Sequence, residues 1–227
     1  HAHLDAPGEP RGRREAAGRL RARASAVLRL PALLAWPAKK GLAGLEGLAG
    51  IPGSVGGALA MNAGSFGVET GSLMRSVQVF SPEQGFVERQ RSDLVFGYRR
   101  CVLPGPASWF LITQAVFALT RSRTEDIRAR MRDIYLKKQA SQPVAAKTAG
   151  CVFKNPGPDA PAGRLLDQAG VKGLHVGDMY FSTLHANFLV NEGKGTFAQA
   201  MELIELARER VERLSGHRLE LEVQLWQ

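Results

Sequence analysis

GLAGLEGLAGIPGSVGGALAMNAGSFG, residues 41–67, is the stretch on which the architecture turns. Nine of its 27 residues are glycine, yet Leu, Ile, Val and Met stand between them. Flexible linkers lack apolar residues at that density, so the stretch is expected to be folded. Glycine there lets the backbone come close to something. Gly50, Ile51, Pro52, Gly53, Ser54, Val55, Gly56 and Gly57, followed by Asn62 and Gly64 in M-N-A-G, offer small residues and backbone N–H groups. Such groups suit a diphosphate or the edge of a flat ring. The G-x-x-x-x-G-K-[ST] and strand-linked G-x-G-x-x-G patterns are absent, so this is a different kind of glycine block.

Upstream, residues 26–40 (AVLRLPALLAWPAKK) read as a short apolar helix, with Pro31 near its start and Pro37 stopping it. Downstream, residues 74–120 hold strand-like runs, MRSVQVFS, FVERQ and WFLITQAVFAL, separated by Pro/Gly turns. Thr124 caps a helix to about Gln139, with Ile127, Met131, Ile134 and Tyr135 at helical spacing. AGCVFKNP (149–156) is a strand into a turn, AGRLLDQAG (162–170) a helix ended by Gly170, and ANFLVN (186–191) a buried strand. Thr196 to Ser215 forms a helix with Phe197, Ala200, Leu203, Ile204 and Ala207 on one face, stopped by Gly216, and LELEVQLW closes as a strand. No repeat is visible, and the order of elements predicts an α+β fold.

With 227 residues, 44% of them apolar and 22% charged, the chain can bury a core, as one large domain or two small ones. No apolar run approaches the roughly 18 residues that span a bilayer, so no membrane partner is expected. Two cysteines cannot form a disulfide framework and read as thiols of a reducing compartment. The net charge of +9 is uneven: residues 1–40 hold nine Lys/Arg against three Asp/Glu. Residues 1–25 are expected to be a basic flexible arm. The arm has no interleaved aromatic residues, so nucleic acid is not an expected partner. The chain starts at His1, as a trimmed chain or a piece of a longer reading frame would.

Three further motifs stand beyond the glycine block: F-G-Y-R-R (96–100), A-G-C-V-F-K-N-P (149–156), and H-A-N-F-L-V-N (185–191) ahead of L-E-L-E-V (219–223). Singly, each has an ordinary reading. An Arg after Tyr is commonly a surface ion-pair residue, a lone Cys a small hydrophobe, and a Glu in an amphipathic strand solvated. No cluster suggests a metal.

In this order and spacing, from about Val27 to Gln227, the motifs resemble the UDP-N-acetylenolpyruvoylglucosamine reductase family, also called UDP-N-acetylmuramate dehydrogenase. The resemblance implies the remainder of an FAD-binding α/β domain over 26–120 and a C-terminal α+β substrate-binding domain over 121–227. It implies FAD and NADPH as cofactors, UDP-N-acetylglucosamine enolpyruvate as substrate, a cytoplasmic location and a role in peptidoglycan precursor synthesis. A catalytically inactive chain that keeps only the substrate-binding domain is the alternative. In the family, reduced flavin gives hydride to the enolpyruvyl methylene, and the resulting enolate takes a proton.

By resemblance, Arg99 is the active-site cation, Glu222 the carboxyl group that supports the enolate, and Cys151 the proton donor. Gly50 through Gly57, Asn62 and Gly64 would meet FAD. Tyr98, Lys154, Asn155, His185 and Asn187 would meet substrate. The family's usual motif is A-G-S-x-F-K-N-P, with Ser at the Cys151 position. A thiol, with a reference pKa of about 8.5, is the better acid. Cys101 and Thr148 also stand where Ser is common. The absence of an inserted loop between Arg100 and Thr124 fits the shorter form of the family. The family's first FAD lobe, with its G-x-G-S-N turn, has no counterpart in residues 1–30.

Overall fold

The computed structural model describes residues 20–105 and 108–225, and the chain divides into two units, 1–136 and 137–227. The first unit runs β1 (Leu20–Ser25), α1 (Leu30–Lys39), β2 (Leu42–Ala43), a 3₁₀ turn (Glu46–Leu48), α2 (Val55–Ala60), β3 (Gly64–Ser65), β4 (Val68–Glu69) and α3 (Thr70–Leu73). It continues with β5 (Met74–Ser81), β6 (Gly85–Gln90), β7 (Val95–Gly97), β8 (Arg100–Val102) and β9 (Leu111–Arg121). The sheet is antiparallel throughout, in the order β1-β9-β5-β6, with β2 extending the β9 pairing.

Alternation decides which face of that sheet is buried. Ala22 and Ala24 of β1, Val77 and Val79 of β5, and Ala115, Phe117 and Leu119 of β9 point inward with almost no exposure. Ala22 pairs with Phe117, so a small residue leaves room for the large ring. Leu30, Leu33 and Leu34 of α1, and Val55 and Leu59 of α2, cover this face. Each buried Leu is worth roughly 1.5–3 kcal/mol relative to leaving it in water.

Residues 20–25, expected within the basic arm, are instead strand β1, because Ala22 and Ala24 fill the inner face while Arg21 and Arg23 face solvent. The rest of that arm, residues 1–19, lies outside the described residues. Pro37, expected to stop α1, sits inside its last turn, and Lys39 ends the helix.

Glycine is required for close packing at Gly47 and Gly56. A Cβ on Gly47 would lie 2.6 Å from Val68 Cβ, and one on Gly56 would lie 2.9 Å from Ala26 Cβ. The close approach expected of this stretch is therefore partly to its own chain. Glu46, immediately before Gly47, accepts hydrogen bonds from Arg130 (2.6 and 3.2 Å) and from the Gly44 N–H (2.6 Å). Burial alone would raise the Glu46 carboxyl, but these bonds outweigh it and hold the pKa below its ordinary 4.5. A depressed folded-state pKa gives stability that is present above the unfolded value and lost as pH falls through the folded one. Thermal unfolding followed at neutral pH and below pH 4.5 should therefore show a larger acid loss in wild type than in Glu46→Gln. At neutral pH, Glu46→Gln should cost about 1.5–3 kcal/mol, the range for hydrogen bonds to charged groups. Identical acid profiles would contradict this.

The division between the units falls within α4 (Thr124–Ser141), whose Ile127 packs on Ala38 and Ala43 while Tyr135 is exposed. The second unit continues with β10 (Thr148–Cys151), α5 (Ala162–Gln168), β11 (His175–Val176), β12 (Met179–Phe181), β13 (Phe188–Asn191) and α6 (Phe197–Ser215). Its sheet is antiparallel in the order β10-β13-β12-β11. Phe153, Leu166, Phe181, Leu203, Ala207, Val211 and Leu219 form the core.

Helix α6 begins with a reciprocal cap: Thr196 Oγ1 accepts the Gln199 N–H (3.3 Å) and Gln199 Oε1 accepts the Thr196 N–H (3.0 Å). It ends on left-handed Gly216, φ 71°. Phe197, expected on the buried face, is 62% exposed at the helix start. The expected closing strand is reduced to a single bridge, Phe153 with Leu221, flanked by Lys154 N to Glu220 O (2.9 Å) and Glu222 N to Val152 O (2.7 Å). Among the described residues, no helix is long and apolar enough to cross a membrane, and no group of His, Cys, Asp and Glu could hold a metal.

Candidate active site

In the first unit, the glycine block divides by the direction each residue faces. Val55 is fully buried, and Gly56 packs against Ala26. A Cβ on Gly64 would meet the Val68 carbonyl oxygen at 2.3 Å. Asn62 is 1% exposed, and its amide is taken up by the protein. Its Nδ2 donates to Glu69 Oε2 (2.8 Å) and to the Gly97 carbonyl (3.1 Å), while its Oδ1 accepts the Gly71 N–H (3.0 Å). These four residues, expected at the cofactor, thus face inward with their side chains or Cβ positions. Ile51 is half-buried against the core. Gly50, Pro52, Gly53 and Gly57 face solvent, and Ser54 caps α2 by accepting the Gly57 N–H (3.2 Å). A Cβ on Gly53 would meet nothing within 4 Å, and its φ of +101° is a value that side-chain-bearing residues avoid. This open edge suits backbone contact with a diphosphate.

Asn62 grips the β7–β8 hairpin through Gly97, and that hairpin carries Tyr98 and Arg99 at its turn. Arg99 has φ +53°, in the left-handed region where Gly or Asn would be ordinary. A non-glycine residue there costs roughly 1–2 kcal/mol. The Arg99 guanidinium carbon lies 4.9 Å from the Tyr98 ring centre, so the two side chains stack. Cys101, two residues on, has its thiol pushed up to about 11 by burial, which outweighs the opposing pull of Arg91.

In the second unit, Cys151 ends β10 beside β13, where it pairs with Phe188. It opens onto a cavity of about 410 Å³ whose walls include Asn155, Arg164, Asp167, Lys172 and His185. Asn155 Oδ1 accepts the Ala162 N–H (2.9 Å), which fixes the start of α5. Gly163 leaves space for the His185 ring: a Cβ there would lie 3.0 Å from His185 Cε1. His185 Nδ1 lies 3.2 Å from the Asn187 N–H and accepts from it, so a neutral ring carries its proton on Nε2. Burial pushes the His185 imidazole below its ordinary 6.5. Lys172 pairs with Asp167 (2.7 Å), and Arg164 donates to the Asp159 carbonyl. The cavity therefore offers a thiol, a neutral imidazole and two cations.

Lys154 is outside these cavity walls and pairs with Glu220 (3.4 Å) across the bridged segment. Glu222 sits two residues further on, its N–H held by Val152. Asn187, expected to meet substrate, also lines this cavity, but it is 2% exposed and both ends of its amide are taken by Phe153. Sequence reading missed Arg164 and Lys172. Each reads as a solvated charge on or after a helix, and only the turn around Gly170 brings them to one cavity.

Residues 142–226 match the family described as UDP-N-acetylenolpyruvoylglucosamine reductase, C-terminal domain. The reductase of that name from Nitratidesulfovibrio vulgaris is 51% identical over 172 residues, 76% of this chain and 58% of that protein. The one from Oleidesulfovibrio alaskensis is 49% identical over 173 residues, again covering 76% of this chain and 58% of that protein. The crystal structure of the Thermus caldophilus UDP-N-acetylenolpyruvylglucosamine reductase superposes with a TM-score of 0.81 at 38% identity, covering 90% of this chain and 72% of that one. The fold and motifs thus define a two-unit α+β chain whose second unit is a reductase C-terminal domain. The chain belongs to the UDP-N-acetylenolpyruvoylglucosamine reductase family. It spans 58% of the length of these two reductases.

Proposed function

We propose that this chain carries out the flavin-dependent, NADPH-driven reduction of UDP-N-acetylglucosamine enolpyruvate to UDP-N-acetylmuramate, a cytoplasmic step in making peptidoglycan precursor. The observation that supports this most is Arg99, held with positive φ at a hairpin tip by a buried asparagine. A guanidinium carried on a hairpin tip beside the Tyr98 ring suits a clamp on a carboxylate. A guanidinium stays charged at working pH and forks onto two oxygens.

Bound FAD supplies the hydride chemistry. Gly50, Pro52, Gly53, Ser54 and Gly57, on the open edge of the glycine block, would hold its diphosphate. Arg99 binds the substrate carboxylate and stabilises the charge that develops on it. Cys151 gives the proton that quenches the enolate, and Glu222 supports that enolate as a carboxyl group. Asn155, Lys154, Tyr98 and His185 orient the sugar nucleotide. Arg164 and Lys172 supply cations for its phosphates, and neutral His185 presents Nε2–H as a donor.

The test is NADPH consumption by the FAD-supplemented protein with and without UDP-N-acetylglucosamine enolpyruvate. Consumption that requires both FAD and the enolpyruvyl sugar nucleotide is expected. Binding of the sugar nucleotide with no NADPH consumption would replace the proposal with a binding role. NADPH oxidation at the same rate without the sugar nucleotide would contradict the substrate.

A further inference from the structure

Where β10 ends after Cys151, the next two residues keep backbone pairing to the segment around Leu221 on one edge, and on the other edge a single residue takes the place of the strand. The Asn187 carbonyl accepts the Val152 N–H at 2.9 Å. Its side-chain Oδ1 accepts the Phe153 N–H at 2.9 Å, and its Nδ2 donates to the Phe153 carbonyl at 2.8 Å. The amide side chain thus copies a peptide group and extends the ladder by one step. The other face of the same segment holds the carboxyl-bearing strand, through Glu222 N to Val152 O (2.7 Å) and Lys154 N to Glu220 O (2.9 Å). The Asn187 N–H also donates to His185 Nδ1 (3.2 Å). Asn187 thus holds Val152, Phe153 and His185 directly, one residue from Cys151 and Lys154 and across the backbone from Glu222.

We propose that Asn187 is a positioning residue: its amide fixes the Phe153 backbone, and with it the segment that aims the Cys151 thiol and carries the Glu222 segment. The inference rests on the reductase reading for its catalytic consequence, but not for its geometric content. Buried amide-to-peptide bonds are costly to leave half made, because the orphaned partner keeps its desolvation cost. Asn187→Leu removes both bonds. Asn187→Asp is isosteric, and when ionised it turns an oxygen toward the Phe153 carbonyl. When protonated it regains a donor there, so its defect is reversed by acid, at a pH raised by burial.

The experiment measures alkylation of the two thiols by iodoacetamide in the full chain, with the half-buried Cys101 of the other unit as internal control. The variant-to-wild-type rate ratio at Cys151 should depart from one by about tenfold or more in Asn187→Leu, with Cys101 unchanged. In Asn187→Asp the ratio should depart at high pH and return toward one between roughly pH 9 and pH 5. In FAD-loaded protein, flavin reoxidation by the enolpyruvyl substrate should slow about tenfold while reduction by NADPH does not.

A folded Asn187→Leu protein with wild-type Cys151 reactivity, or one whose two thiols change together, overturns the proposal. If Asn187→Leu does not fold, a Cys151 ratio in Asn187→Asp that stays constant across that pH range overturns it. A wild type that never reoxidises flavin with this substrate defeats the reductase reading alone, since the thiol ratios still decide the role of Asn187.

Discussion

Cys151→Ala is expected to slow reoxidation of the reduced flavin by UDP-N-acetylglucosamine enolpyruvate by roughly 10²–10⁴-fold, the usual worth of a positioned general acid. Flavin reduction by NADPH should stay near the wild-type rate, since that half-reaction needs no proton from this group. Cys151 ends β10 on the wall of the 410 Å³ cavity and so is reachable from it. Cys151→Ser should recover much of the loss, because a hydroxyl keeps the donor. A mild oxidant should inactivate wild type and spare the Ser variant. If Cys151 only packs, Ala and Ser would differ through stability, and Ser would be no better than Ala. Stopped-flow absorbance on wild type and both variants separates these outcomes.

The second large effect sits at Arg99, where activity and stability should move in opposite directions. Arg99→Gly relieves a left-handed φ of 53° and should stabilise the first unit by about 1 kcal/mol. The same change removes the carboxylate clamp and should cost about 10²–10³-fold in the enolpyruvyl half-reaction, the scale of one lost electrostatic donor. Arg99→Lys keeps a charge but not the fork, and should also be strongly impaired in that half-reaction while reduction by NADPH is unaffected. Thermal unfolding beside half-reaction kinetics reads both effects. A Gly variant that is less stable than wild type would mean that Arg99 is held for packing, and equal damage to both half-reactions would give it a structural role.

What the sequence made legible follows from where local chemistry is strong. Helices α4 and α6 were readable because of their apolar spacing and, in α6, because the Thr196 and Gly216 end signals agree with it. Strand β1 was hidden: its inner face is Ala22 and Ala24 rather than β-branched residues, so its alternation disappeared into a run of Arg and Ala. The closing LELEV segment showed alternation, yet only Leu221 finds a bridge partner, because backbone pairing depends on a neighbour that sequence does not reveal.

The same distinction runs through the site. Cys151, Asn155, His185 and Asn187 were named from motifs, and one cavity is lined by all four. Asn62 was named from a motif too, but its amide and that of Asn187 bond Gly97, Gly71, Glu69 and Phe153 of the protein. An asparagine that serves a ligand and one that serves a neighbouring peptide look identical in sequence, since the difference is only the direction of a buried amide. Arg164 and Lys172 carried no signal at all, because isolated charges near a helix are ordinary on any surface.

The central claim, that this chain reduces an enolpyruvyl sugar nucleotide with a flavin, is tested most directly by one anaerobic mixing experiment. FAD-loaded protein is reduced with NADPH, freed of nucleotide, and mixed with UDP-N-acetylglucosamine enolpyruvate while the oxidised flavin band near about 450 nm is followed. The account predicts that the band returns with one equivalent of UDP-N-acetylmuramate formed, and that it does so far more slowly in Cys151→Ala. A band that stays bleached with substrate bound, or that returns without UDP-N-acetylmuramate, would contradict it.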